Sequence, residues 1–232
     1  RRGAWLASVR KSYIDWLIRG LEPDIDSTIG FADGLAKFVY DLGAGQQIQV
    51  LVAGGDAVYR ERDTAQANGI LRATSGSTLA SATWRLTRSR SWVLQRVTFF
   101  GDDFRNVGLL AQQLARGYSQ SMGWHGQAAT AFGNDWSIEA GGSWRSERMN
   151  QILREFTTVR PGEVRQRAAR EVTASFTTSN AWVHVARESA TSHLAFGLRG
   201  STHDAAPKGV LQPWVLTERR TGAWTWRASA WR

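Results

Sequence analysis

Residues 124–144 constrain the fold more tightly than any other stretch of the chain. In the second half of that stretch Trp136, Ile138, Ala140, Gly142 and Trp144 alternate without a break with Ser137, Glu139, Gly141, Ser143 and Arg145. A period of two sends successive side chains to opposite faces, so this is a β-strand with one apolar and one polar face. Upstream, Tyr118, Met122, Trp124, Gly126 and Ala128 alternate with Ser119, Ser121, His125, Gln127 and Ala129. Gly133, Asn134 and Asp135 separate the two runs and tolerate the left-handed backbone of a tight turn. The pattern predicts a hairpin with arms of about ten to fourteen residues, roughly twice an ordinary strand.

The same alternation recurs along the chain. It predicts a first strand over 3–18, then a hairpin over 32–54 with its link at 42–46. Another hairpin starts at Ala80, turns at 88–90 and returns over 92–100. The facing of that return strand is open, because Val93, Val97 and Phe99 compete with Trp92 and Leu94. A further arm over 164–187 places Val172, Ala174 and Phe176 opposite Arg167, Glu171, Thr173 and Ser175. Its turn is expected at 189–192, with 177–180 as a rival. A last pair surrounds Trp214 and Trp224–Trp226, with a turn near 219–222. Polar segments 19–30 (with Pro23), 60–76, 102–116, 148–162 (with Pro161) and 204–209 read as loops, and Leu109, Leu110, Gln113 and Leu114 hint at a short helix. About eleven strands result, joined by links that alternate between short and long.

Composition narrows the classes. The formal charge is +9, carried by 26 Arg and 3 Lys that are scattered rather than collected in one block, which argues against a nucleic-acid partner. The absence of Cys removes disulfides and thiolate metal sites. No apolar run approaches the eighteen or so residues of a membrane helix. Arg10 and Lys11 interrupt the N-terminal apolar residues too early for a signal peptide. Both termini fall inside strand patterns, so the chain is expected to be a piece of something longer.

Alternation alone fits a soluble sandwich as well as a membrane barrel. Strands of nine or more residues suit a tilted bilayer crossing, and links of alternating length are the habit of outer-membrane barrels. Tyr40, Trp84, Trp92, Trp136 and Trp224 lie close to the short turns, on or near the apolar face, like an interfacial girdle. Ala32, Gly34, Ala36, Ala80, Ala82, Ala140 and Gly142 would bury little area in a soluble core, whereas lipid tails close around small residues. The expected fold is therefore all-β, an antiparallel up-and-down transmembrane β-barrel segment that is incomplete. A porin-like barrel without a plug and a soluble carbohydrate- or nucleic-acid-binding β-protein stay open as alternatives.

Several stretches carry a more specific likeness. Residues 5–15, from Trp5 through Ser8, Arg10, Lys11, Ser12 and Tyr13 to Asp15, resemble an early barrel strand of TonB-dependent outer-membrane receptors. Phe31, Asp33, Ala36, Lys37 and Tyr40 are similar to that family's next strand, Ile48 to Asp56 to the one after, and Pro213, Trp214 and Val215 to a late strand. The resemblance implies a 22-stranded barrel around a plug domain, importing a scarce nutrient such as a siderophore, metal chelate or oligosaccharide. It also implies the Gram-negative outer membrane as location, its lipid bilayer as surroundings and the TonB complex as energy source. Against that pattern residues 1–232 are expected to be about half of such a barrel, without the plug, energy-coupling motif or signal peptide, and are not expected to transport anything alone.

No catalytic constellation stands out, so an enzyme is not expected, nor a cofactor. His125, His184, His193 and His203 lack metal-ligand spacing. Gly54-Gly55-Asp56 and Gly141-Gly142-Ser143 lack the strand-to-helix context of a phosphate loop and read as strand glycines. Arg85, Arg145, Arg167, Glu139, Glu147 and Glu171 are expected on the polar face, chiefly as an inter-strand ladder of ion pairs and hydrogen bonds, with a charged lumen that contacts a plug or guides an anionic solute as the alternative. Ligand contacts are expected in the loops 60–76, 102–116 and 148–162, with no individual binding residue singled out.

Overall fold

The computed structural model describes residues 2–12, 20, 27–62, 66–160, 162–206 and 208–231. Eleven strands form one antiparallel sheet in sequence order, each bonded only to its neighbours in the chain. They are β1 (Gly3–Lys11), β2 (Ser27–Gly43), β3 (Gln46–Glu61), β4 (Arg72–Thr87), β5 (Ser91–Val107) and β6 (Gln113–Phe132). After them come β7 (Trp136–Arg160), β8 (Glu163–Glu188), β9 (Ser192–His203), β10 (Val210–Thr221) and β11 (Trp224–Trp231). β1 and β11 are free edges and run in the same direction, so the sheet is open. The expected number of strands and their up-and-down order are both found.

The links at one end are all short: 44–45, 88–90, 133–135, 189–191 and 222–223. In the first, Ala44 and Gly45 both have positive φ (52° and 75°), the backbone of a two-residue hairpin turn. Gly45 has a second reason to lack a side chain, because its Cβ would sit on the Thr87 carbonyl oxygen of the adjoining strand.

The opposite end departs from expectation. Segment 102–116 is mostly strand, because β5 runs to Val107 and β6 begins at Gln113, and Leu114 lies in β6 rather than in a helix. Segment 148–162 is also strand, since β7 continues to Arg160 and β8 starts at Glu163. β8 passes straight through 177–180, which leaves 189–191 as the turn. The loop 60–76 shrinks to 62–71. Residues 13–18 of the first predicted strand, most of the loop that follows with Pro23, residues 63–65 and Pro161 lie outside the described residues. The missed strand ends have a common cause. Charged and polar residues such as Asp102, Asp103, Arg105, Arg154 and Glu155 interrupt both faces of those ends, so no apolar alternation marks them.

Register sorts the side chains into two faces, because paired residues in antiparallel strands share a face. One face carries Phe38, Val50, Ala82, Val97, Trp124, Trp144, Val183, Phe196 and Val215. The pairing Val97↔Trp124 resolves β5: Val93, Val97 and Phe99 are on the apolar face and Trp92 is not. Trp92 must therefore be taken out of the expected girdle, while Tyr40, Trp84, Trp136 and Trp224 remain in it.

The apolar face is the exposed one. Along β6, Tyr118, Met122, Trp124 and Ala128 are exposed, whereas Ser119, Ser121, His125 and Gln127 are half-buried, so the sheet curls toward its polar side. A soluble domain of 25.8 kDa would expose about 10,500 Å², but this chain exposes 16521 Å². Its buried hydrophobic residues, among those described, are Leu114, Ala115, Ala186 and Ala195. Such a surface has no apolar core to fold around in water. Two indoles on the outer face find partners there: the N–H of Trp124 donates to Gln95 at 2.9 Å and that of Trp84 to Gln46 at 3.3 Å.

The extension of β7 and β8 is directly testable in a chain without Cys. Gln151 and Val172 are register partners, so Gln151→Cys with Val172→Cys is expected to form a disulfide on mild oxidation. Gln151→Cys with Thr173→Cys, which point to opposite faces, should not. Mass spectrometry of proteolytic fragments distinguishes the two.

Candidate functional site

The polar inner face gathers the chemistry-bearing residues. Its clearest feature is a hollow of about 490 Å³ built by four adjacent strands. β5 contributes Arg96 and Thr98, β6 Gly123 and His125, β7 Ser143, Arg145 and Glu147, and β8 Phe176, Thr178 and Asn180. Register makes this a grid, with Arg96, His125, Ser143 and Asn180 in one row and Thr98, Gly123, Arg145 and Thr178 in the next. Gly123 leaves the floor open between Thr98 and Arg145. Polar groups are held by neighbours: Arg96 Nε donates to Thr83 Oγ1 at 3.3 Å and Asn180 Nδ2 to Ser143 Oγ at 3.3 Å. His125 Nε2 lies 2.9 Å from Gln127 Oε1, and Arg145 pairs with Glu147 on its own strand.

Two aromatic bridges flank the hollow, each made possible by a glycine. The Trp182 indole on β8 lies across Gly141 of β7 and stacks on His125 of β6, ring centroids 5.5 Å apart. The Trp214 indole on β10 lies across Gly197 of β9 toward His184 of β8, centroids 5.6 Å apart. A Cβ on either glycine would collide with the indole above it. An aromatic ring covering a strand glycine recovers the packing that the missing side chain forfeits. Sequence reasoning read Gly141 as a strand glycine but missed both bridges. Neighbouring strands meet at a spacing that only register supplies.

The other expected residues distribute as follows. Arg85, Arg145, Glu139 and Glu147 are on the inner face. Glu171 is not, because it pairs with Ile152 on the outer face, where Asn150 donates to it at 3.0 Å. Arg167 falls in a bulge between register pairs Glu155↔Ala168 and Phe156↔Gln166. Of the expected ladder residues, Glu139 lies 3.8 Å from His184 of the next strand, and cross-strand ion pairs also form at Arg10–Asp33 (2.9 Å) and Arg227–Glu218 (2.8 Å). His193 faces Glu218 across β9 and β10, and His203 stacks on Phe176 at 5.3 Å. Among the described residues no cluster could hold a metal ion. Gly54-Gly55-Asp56 and Gly141-Gly142-Ser143 lie inside continuous strands, not phosphate loops.

At the end opposite the short turns, the β3–β4 link reaches across two strands. Asn68 Nδ2 donates to the Phe156 carbonyl at 3.0 Å while the Phe156 amide donates to Asn68 Oδ1 at 2.8 Å. Phe156 adjoins the β7–β8 bulge, so Asn68 satisfies backbone groups there. Gln112 of the β5–β6 link donates to the Ala67 carbonyl at 3.0 Å and holds the same segment. Nearby, Tyr59 donates to Glu61 at 2.8 Å, which holds its phenol above the ordinary value, with burial and the Glu61 charge adding to the effect.

Two substitutions check these contacts. Gly141→Val is expected to cost about 1–3 kcal/mol through overpacking against Trp182, read as the shift in urea midpoint. Gly30→Ala, with nothing within 4 Å of its Cβ, should shift it far less. Asn68→Ala is expected to speed amide exchange at Phe156 while leaving exchange in the β4–β5 ladder unchanged.

No family model and no curated protein matches the chain. Solved structures do. The siderophore receptor PirA from Acinetobacter baumannii superposes over 98% of this chain and 38% of its own, with TM-score 0.69 and 10% identity. The ferripyoverdine receptor of the outer membrane of Pseudomonas aeruginosa matches over 95% of this chain and 36% of its own, at TM-score 0.66 and 9% identity. The RagAB peptide importer matches over 94% of this chain and 32% of its own, with TM-score 0.66 and 8% identity. The chain thus has the fold of a barrel-wall section of such receptors and spans little more than a third of their length.

Proposed function

We propose that this chain is an eleven-stranded section of the transmembrane barrel of a TonB-dependent receptor in a Gram-negative outer membrane. In this reading the apolar outer face contacts lipid, and the polar inner face lines the lumen against a plug domain. The free edges of β1 and β11 meet the remaining barrel strands. The assembled receptor imports a scarce nutrient of the siderophore, metal-chelate or oligosaccharide class, with energy from the TonB complex, and performs no enzymatic reaction. The observation that carries the reading is the inverted surface: apolar residues exposed on the outside of a curved sheet and polar ones within. Structural likeness to receptors and a peptide importer supports it, as do the motifs at 5–15, 31–40 and 48–56.

The aromatic residues give it vertical order. Phe132 stacks on Trp136 at 6.4 Å beside the turn, and the Arg187 guanidinium lies 5.7 Å from the Trp136 ring centroid. Ring edges and a snorkelling cation at the short-turn end fit a headgroup boundary. Asp56, Asp103, Gln120 and Arg148 interrupt the outer face further along the strands and mark the other boundary. Beyond it the β7–β8 ribbon and the Asn68 segment are the parts placed to meet a ligand arriving from outside.

The test is a pair of substitutions on adjacent residues of β5. Val97→Arg, outward and within the apolar band, is expected to cost about 2–4 kcal/mol in lipid vesicles. Thr98→Arg, inward, should cost much less. Equal effects, or a native protein that fractionates away from outer membranes and needs no detergent, would sink the barrel reading. Deleting 66–70 from the full-length receptor should weaken ligand binding while heat-modifiable gel migration, the mark of an assembled barrel, persists.

A further inference from the structure

We propose that the open edge of β8 at residues 169–175 is a docking site, where an extended acidic segment of a second polypeptide adds an antiparallel strand. The inference rests on the reading that the β7–β8 ribbon stands outside the membrane, and adds an interaction surface and the chemistry of its partner.

The ladder between β8 and β9 stops well short of the ladder between β8 and β7. β9 pairs with residues 178–188 of β8, whereas β7 pairs with β8 as far as Glu163. The last bonds on the β9 side are made at Thr177. Its carbonyl accepts from the Asp204 amide at 3.1 Å, and its amide donates to Asp204 Oδ2 at 2.6 Å. The chain then turns, with the Ala206 amide donating to the His203 carbonyl at 2.9 Å. In an antiparallel strand, alternate residues direct both backbone groups to the same side. Thr177 directs its pair toward β9, so Ser175, Thr173, Glu171 and Ala169 present theirs along the same edge. All four are exposed, and among the described residues no hydrogen bond reaches these backbone groups from that side.

Sheet edges are ordinarily protected by Lys, Pro or a bulge. The bulges of this ribbon lie at Glu155/Phe156 and Thr158/Arg160, and the register from Ala169 to Thr177 is regular. That stretch holds neither Pro nor Lys. Alternation also defines what fits beside it. Arg170, Val172 and Ala174 are on the inner face, with Glu171, Thr173 and Ser175 on the outer. A matching strand sets apolar side chains beside Val172 and Ala174 and a carboxylate beside Arg170. Arg170 faces Leu153 across the β7 ladder and has no ion-pair partner among the described residues. The neighbouring Glu171 carboxylate already accepts from Asn150 at 3.0 Å. The charge left to satisfy is therefore positive. Antiparallel pairing with a second copy needs a two-fold axis perpendicular to the sheet, which would invert one copy in the membrane. The fitting partner is a different polypeptide.

The probe is the peptide Thr-Val-Thr-Val-Thr-Glu-Thr, dye-labelled at its N-terminus and followed by anisotropy as the full-length polypeptide in detergent is added. In the antiparallel register its Glu meets Arg170, its Val residues meet Ala174 and Val172, and the backbone groups of its Thr residues face β8. Methylating the amide nitrogens of its second and third Thr is expected to weaken saturable binding about tenfold or more, through two lost hydrogen bonds. Methylating the two Val nitrogens, which point away, should leave most of it. Thr173→Pro removes an edge donor where Pro is tolerated and should weaken binding to a similar extent. Arg170→Glu should reverse the preference toward a peptide with Lys in place of Glu. Absent binding, equal binding of the two methylated peptides, or native affinity in Thr173→Pro overturns the proposal. So does slow amide exchange at Glu171 and Thr173 in the free protein, which would show the edge already covered. Heat-modifiable migration confirms that each variant is assembled. Outer-membrane fractionation is read separately, so a protein that resides there without binding the peptide refutes this inference and leaves the receptor reading standing.

Discussion

The inter-strand hydrogen-bond ladder is the interaction on which everything else here depends. A single curved sheet has no second layer, so backbone amides and carbonyls find partners only sideways, on the strands before and after. That lateral dependence explains the strict meander. It also explains the treatment of strand ends: past Ala115↔Leu153, where the β6–β7 pairing stops, the Asn68 side chain partners both the amide and the carbonyl of Phe156.

Once the ladder is fixed, the period of two divides the wall into a greasy exterior and a polar interior. Side chains on the two faces then meet different demands. Outside, Trp84 and Trp124 give their indole protons to Gln46 and Gln95. Inside, rings lie flat over glycines. The hollow between β5 and β8 is what remains where Gly123 contributes no side chain between bulkier neighbours.

Sequence and structure agree best where one face is apolar. The hairpin at 133–135, the turns at 88–90 and 189–191 and the facing of β6 and β7 follow from alternation that is almost unbroken. Agreement fails where polar residues occupy both faces. Residues 149–160 and 163–176 form the longest ribbon of the sheet, yet their mixture of Arg, Thr, Glu and Gln has no period to read. Trp92 differs for another reason: with Leu94 beside it, β5 carries apolar residues on both faces, and only the pairing Val97↔Trp124 decides between them. Glu171 and Arg167 share that difficulty, with the bulge shifting the phase between them.

The amino-acid sequence alone determined the architecture: how many strands, which turns are tight, and which face is apolar. These are local properties, set by side-chain alternation and by residues that tolerate positive φ. Tertiary structure alone decided which residues are neighbours across the wall. Trp182 over Gly141 against His125, Trp214 over Gly197 against His184, and Asn68 against Phe156 bring together residues far apart in sequence. Their proximity depends on register, which is fixed by the sum of many pairings along each ladder rather than by any one stretch of sequence.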